Sequence, residues 1–235
     1  MTALVLQARL DSSRLAAKSM LLLGGRPLIF RVMEAFGLFP CEKKILACPD
    51  DCVSVFAPLA EEAGFTLVAG PKDDVLSRYC IAIRRCGAER LIRATGDNPF
   101  VFTDAALTLN REAEELEADY AGYKGLPLGA GVESVSSGAL LRAERQARES
   151  VEREHVCPFL YKHPELFKLH RPLAPPTWQG PDLRITVDTL EDYGRAQALY
   201  RRLDALPPER RNLGENIIAA YKSISAESAA LGKTP

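Results

Sequence analysis

Apolar runs of strand length alternate with stretches of helical period along most of the chain. The pattern predicts strands at 3–8, 44–48, 66–69, 90–94, 119–121, 132–135, 167–170 and 183–187. It predicts helices at 27–39, 51–63, 73–86, 103–117, 137–148, 151–163, 189–203 and 214–223. Local signals punctuate these segments. Pro27 suits a first helical position after Gly24 and Gly25. Gly64 and Gly87 stand where helices end. Thr103 opens a helix with Asp104 in its first turn, and Thr189 with Asp192 makes a capping box. Pro58 predicts a kink or a late start in the second helix.

Strand–helix alternation over the first half of the chain predicts right-handed βαβ units and a largely parallel sheet with helices on both faces. In such sheets ligands bind beyond the carboxyl ends of the strands. Residues 122–138 differ in texture, being rich in Gly, Pro and Ser before the strand-like "VESVS". They read as a loop and an inserted strand, forming a lobe over the site or a subunit contact. Residues 171–182, "RPLAPPTWQGPD", form a proline-rich connection. The expected division is a main domain over 1–206, with 122–170 as the acceptor or dimer-contact lobe, and a C-terminal helix and tail over 207–235. The stretch after Leu206 reads as peripheral, and the terminal "GKTP" as frayed.

Composition narrows the classes. The chain has 235 residues, of which 47% are hydrophobic and 26% charged, enough for one large α/β domain. Its formal net charge of −1 argues against a nucleic-acid partner, which needs a net-positive face. No apolar stretch approaches the about 20 residues of a membrane span, and no signal-peptide pattern precedes the first predicted strand. A cytoplasmic location is expected. Six cysteines include no C-x-x-C pair and read as reduced, mostly buried thiols. Cys48 and Cys52 make a poor zinc pair, because no second pair stands at ligand spacing.

Three strand ends carry candidate chemistry. The first is "QARLDSSRLAAK", residues 7–18, where Arg9, Arg14 and Lys18 are interspersed with Ser12 and Ser13. Small and hydroxyl residues let backbone N–H groups face an anion, and the cations add charge. A solvated loop with scattered charges fits the same pattern. The second is "RATGDNPFV", which puts Asp97 beyond a strand. Asp97 or Asn98 before Pro99 also fits a turn former. The third is "LRITVDTLEDYG", where Asp188 separates a predicted strand from a predicted helix. Together, two carboxylates at separate strand ends suit Mg²⁺, which takes oxygen ligands and completes its shell with phosphate and water. A basic, hydroxyl-rich loop opposite them suits a triphosphate. The chemistry this set implies is nucleotidyl transfer, with attack on the α-phosphate and loss of pyrophosphate.

The opening stretch resembles the R-x-x-S-[ST]-R-x-x-x-K element of the cytidylyltransferases that activate sugar acids, the synthetases of CMP-3-deoxy-manno-octulosonate and CMP-acylneuraminate. It is most like the spore-coat polysaccharide biosynthesis proteins of the SpsF type. "GGRPLIFRV", "DDVLSRY", "RATGDNPFV", "VESVSSGAL", "EREHVCPFLYKHPELF" and "LRITVDTLED" match further elements in order. The resemblance implies a three-layer α/β/α nucleotidyltransferase fold of the glycosyltransferase-A type, CTP and Mg²⁺ as ligands, an anionic sugar acceptor and a homodimer. It implies that Arg9, Ser12, Ser13, Arg14 and Lys18 bind the triphosphate, with Lys18, Arg14 and Asp97 catalytic. It implies metal binding by Asp97 and Asp188, and a place near the base for Arg78 and Thr95. Glu133, Arg153, Glu154 and His155 fall on the acceptor side. By pattern alone these four fit a solvated helix face, and Arg78 fits an exposed helix position.

The chain departs from these relatives in three places. Ala16 and Ala17 replace a Pro-Gly pair before Lys18, Thr95 replaces a glutamine, and Leu128 and Gly131 replace an arginine and an aspartate. Two other functions are compatible with the pattern. One is a glycosyltransferase using a nucleotide sugar, although no D-x-D pair occurs. The other is a non-catalytic nucleotide-binding relative.

Overall fold

The computed structural model describes residues 1–12 and 14–230. Its centre is a seven-stranded sheet. Strand β1 (Thr2–Gln7) runs into a long loop that ends in a 3-10 turn at Lys18–Met20. A small hairpin of β2 (Leu22–Leu23) and β3 (Arg26–Pro27) leads to α1 (Leu28–Ala35). There follow β4 (Lys43–Pro49), α2 (Val53–Glu62), β5 (Thr66–Gly70), α3 (Val75–Cys86), β6 (Arg90–Thr95) and α4 (Thr103–Glu115). The second half holds β7 (Tyr120–Ala121), β8 (Glu133–Ser136), α5 (Ser137–Gln146), α6 (Ser150–His155), α7 (Pro158–Lys162) and β9 (Leu169–His170). Helices α8 (Leu190–Leu203), α9 (Pro208–Arg211) and α10 (Gly214–Ala230) complete the described chain.

The sheet order is β5-β4-β1-β6-β8-β7-β9. β4 and β6 flank β1 in parallel, and β5 pairs in parallel with β4. β8 runs antiparallel to both β6 and β7. The chain first winds outward from β1 through β4 to β5, then returns to place β6 on the other side of β1. That reversal makes a switch point between β1 and β6, where an α/β sheet opens a crevice beyond its strand ends.

Side chains of β1 alternate between two cores. Leu4 and Leu6 join Val32, Phe36, Phe56 and Leu199 on one face. Ala3 and Val5 join Leu76, Tyr79, Ile83 and Leu140 on the other. A strand buried on both sides reads as a continuous apolar run, which is why it stands out in the sequence. Cys48, Cys52, Cys80 and Cys157 are buried thiols. Burial pushes Cys48 and Cys80 up to about 12, which leaves them protonated. No described helix is long and apolar enough to cross a membrane.

Several predicted elements are corrected. Residues 183–187 do not form a strand: Arg184 makes a single isolated bridge to Leu128. The backbone amides of Ile185 and Thr186 donate to the Leu128 carbonyl, and that of Val187 donates to Asp97. The predicted helix at 151–163 is broken into α6 and α7. Val156 between them takes φ 73° and ψ −58°, and Pro158 has no N–H to bond the carbonyl four residues back. Pro27 is the N-cap of α1 rather than its first residue. The C-terminal helix reaches Ala230, beyond the predicted 223. Its Ile217 and Ile218 enter the core, and Asp104 anchors its start by accepting from the Gly214 amide. The "GKTP" segment lies outside the described residues.

Candidate active site

Beyond the switch point lies a cavity of about 280 Å³. Its wall includes Gln7, Arg9, Ser12, Arg14, Lys18, Arg78, Arg93, Thr95, Asp97, Glu154 and His155. Three hydrogen bonds to backbone carbonyls build it. The Ser19 hydroxyl donates to the Arg9 carbonyl at 2.6 Å and ties both ends of the basic loop together. The Gly96 amide donates to the Gln7 carbonyl at 2.8 Å, which draws the turn after β6 against the end of β1. A Cβ at Gly96 would stand 2.9 Å from that carbonyl oxygen and 2.8 Å from Ile29 Cδ1, so the approach requires glycine. The Val187 amide donates to the Asp97 carbonyl at 3.0 Å and brings the segment carrying Asp188 alongside Asp97.

The result is a cluster of opposed charges. Lys18 Nζ donates to Asp97 Oδ2 at 2.7 Å and to Asp188 Oδ1 at 2.8 Å. Arg14 also donates to Asp188 Oδ1, at 2.9 Å. Arg184 donates to the other oxygen, Asp188 Oδ2, at 2.9 Å. Burial alone would raise the Asp188 carboxyl, but Lys18, Arg14 and Arg184 hold it below the ordinary carboxylate range. Asp188 immediately precedes the Thr189–Asp192 capping box of α8, as the sequence predicts. The residue before Lys18, Ala17, adopts the left-handed conformation with φ 47° and ψ 34°.

The structure sorts the remaining candidates. Thr95 lines the cavity, and its hydroxyl accepts from Asn98 Nδ2 at 2.7 Å. Arg78 is 1% exposed, so its exposed-helix alternative is excluded. Its Nη1 donates to the carbonyls of Pro71 and Lys72, and no carboxylate pairs with it among the described residues. Glu154 and His155 line the cavity, and Glu154 faces Arg9 at 3.8 Å across its mouth. Glu133 lies behind the wall, paired with Arg93 and accepting from the Tyr120 hydroxyl. Arg153 is directed elsewhere, paired with Asp74 at the N-cap of α3 and donating to the Glu144 carbonyl. Ser13 lies outside the described residues.

Gln7, Arg93 and Arg184 were not singled out by the sequence. Gln7 ends β1 and Arg93 interrupts the apolar residues of β6, and Arg93 Nη2 donates to Gln7 Oε1 at 3.0 Å. Arg184 is four residues before Asp188, a spacing that carries no signal outside a helix.

A family model described as cytidylyltransferase matches residues 3–229. The chain belongs to the cytidylyltransferase family. This cytidylyltransferase is 30% identical over 210 residues to the spore coat polysaccharide biosynthesis protein SpsF of Bacillus subtilis (strain 168), covering 86% of this chain and 88% of SpsF. Its fold is similar to that of a cytidylyltransferase from Leptospira borgpetersenii serovar Hardjo-bovis (strain JB197), with TM-score 0.83, 19% identity, and coverage of 97% of this chain and 95% of that one. It is also similar to a CMP:2-keto-3-deoxy-manno-octonic acid synthetase complexed with CTP, with TM-score 0.66, 16% identity, and coverage of 87% and 99%. The α/β architecture is thus that of a nucleotidyltransferase, and the cytidylyltransferase is an enzyme of that class.

Asp97 and Asp188 are the residues that could hold a hard divalent cation, with phosphate and water completing its shell, since no group of three or more His, Cys, Asp or Glu side chains is placed to hold one among the described residues. Asp97 and Asp188 reach the same point from separate segments, and carboxylate oxygens are the ligands Mg²⁺ prefers. The ammonium of Lys18, within hydrogen-bond distance of both, marks that point as a cation position.

Proposed function

We propose that this cytidylyltransferase joins CTP to a sugar acid or a related anionic sugar with Mg²⁺, releasing pyrophosphate, in surface polysaccharide biosynthesis. One observation carries the reading: Lys18 bridges two carboxylates, 2.7 and 2.8 Å away, at a cavity lined also by Arg9, Arg14, Arg78 and Arg93. Likeness to SpsF supports the polysaccharide role.

In this reading Arg9, Arg14 and Lys18 bind the triphosphate, with Ser12 beside them. As the nucleotide enters, Lys18 and Arg14 exchange their carboxylate partners for phosphate oxygens. Asp97 and Asp188 would hold Mg²⁺, whose chemistry there would be to offset the charge of the reacting phosphate. Lys18 and Arg14 stabilise the charge that develops as pyrophosphate leaves, fixed in place before the reaction begins. Thr95 and the buried Arg78 line the base side. Glu154 and His155 face the acceptor. No side-chain nucleophile is needed, because the acceptor oxygen attacks directly.

The test is thermal unfolding with each of the four common nucleoside triphosphates, with and without Mg²⁺. A ligand that binds only the native state stabilises it by about 2.7 kcal/mol at a hundred times its Kd. The expected result is a rise selective for CTP with Mg²⁺, followed by pyrophosphate release when a sugar acid is added. A rise selective for another triphosphate would replace cytosine. No response to any of them would remove the reading.

A further inference from the structure

Asp188 has two oxygens with different surroundings. Oδ1 accepts from Lys18 and Arg14, both of which line the cavity and, in the proposed reading, turn to the triphosphate. Oδ2 accepts from Arg184 Nη2 at 2.9 Å. Arg184 in turn is clamped: its Nε lies 2.8 Å from Asp192 Oδ1, and its Nη2 lies 2.9 Å from Asp192 Oδ2. Asp192 is 3% exposed and also accepts from the amides of Asp188 and Thr189, so the clamp is tied to the backbone that carries Asp188.

We propose that Arg184 is a positioning residue for nucleotidyl transfer: held by Asp192, it engages one oxygen of Asp188 and so presents the other to the divalent cation. Without Arg184, a carboxylate freed to rotate would offer either oxygen and lose its fixed orientation. Partners of metal ligands act in this way, and their loss costs about 10–100-fold in metal affinity. The planar fork of arginine reaches Asp188 and Asp192 together, which the single ammonium of a lysine does less well.

The inference rests on the proposed metal role of Asp188, and its test separates the two. Mn²⁺ binding is read by electron paramagnetic resonance in the presence of a non-hydrolysable CTP analogue, using wild type, Arg184→Met, Arg184→Lys and Thr189→Ala. Arg184→Met is expected to weaken Mn²⁺ binding at least tenfold, and Arg184→Lys to recover part of the loss. Thr189→Ala removes the other half of the capping box without touching the guanidinium. It is expected to lower Tm while leaving Mn²⁺ binding within twofold of wild type. If Arg184→Met does not fold, Arg184→Lys carries the comparison, with a weakening of severalfold expected. Unchanged Mn²⁺ binding in both arginine variants, or an equal loss in Thr189→Ala, would overturn the positioning role alone. A wild-type protein that binds no Mn²⁺ beside the analogue would overturn the metal reading together with it.

Discussion

Lys18 Nζ lies 2.7 Å from Asp97 Oδ2, with Asp188 Oδ1 a further contact at 2.8 Å. One ammonium therefore bridges a pair of carboxylates brought together by the fold. If those carboxylates take a divalent cation, lysine and metal compete for the same place. Lys18→Met is then expected to tighten Mn²⁺ binding in the absence of nucleotide, measured by titration calorimetry. It is also expected to lower kcat about 100-fold or more, the loss typical when a preorganised donor is removed. Weaker metal binding in this variant would mean that Lys18 organises the carboxylates instead of competing for them.

Asp97→Asn keeps the shape of the side chain and removes its charge. The backbone carbonyl of Asp97 still accepts from Val187, so the turn is expected to persist with Tm within a few degrees of wild type. Turnover is expected to fall below detection. Near-normal steady-state rates would assign Asp97 to shaping the turn and remove it from the chemistry.

Asp192 supplies a pH signature in stability. Burial alone would raise its carboxyl, but Arg184 and the amides of Asp188 and Thr189 hold it at about 2. An aspartate whose folded pKa lies below its unfolded value stabilises the fold at pH values above the unfolded one. That contribution fades as pH falls through the folded value. A shift of this size corresponds to about 2 kcal/mol. Urea unfolding of wild type and Asp192→Asn should show their widest separation above pH 5 and a narrowing gap toward pH 2. A gap independent of pH would assign the loss to the missing cap alone.

Ala17 holds φ 47° next to Lys18, in a region that costs a residue with a Cβ about 1–2 kcal/mol. Ala17→Gly is expected to relieve that cost and raise Tm by about 2–4 °C, read by scanning calorimetry. A fall in Tm would show that the entropy glycine adds to the unfolded chain outweighs the relief.

The fold was legible where the sheet is most deeply buried. β1, β4, β5 and β6 begin and end within a residue or so of the apolar runs at 3–8, 44–48, 66–69 and 90–94. Residues 183–187 mislead because Ile185, Thr186 and Val187 are all buried, as in a central strand, while their amides bond to Leu128 and Asp97. An apolar run reports burial, and here burial and strand pairing part company. At the site, Lys18, Asp97 and Asp188 carried signals because each stands next to an apolar run. Arg184 and Arg93 carried none, since only the folded chain shows which carboxylates they meet. Arg153 shows the converse. It sits in a charged stretch near cavity residues, yet its guanidinium caps the neighbourhood of α3.

The hydrogen bond from Val187 to Asp97 makes the site a seam. One carboxylate belongs to the half of the chain that emerges first from the ribosome, and the other arrives only after the lobe and the proline-rich connection have been laid down. The sheet can begin to assemble without the second carboxylate, but the cation position cannot exist. A protein still being synthesised, or one cut within the connection, would therefore carry a basic loop with a single acid beside it. It could attract a triphosphate before it was equipped to react with one.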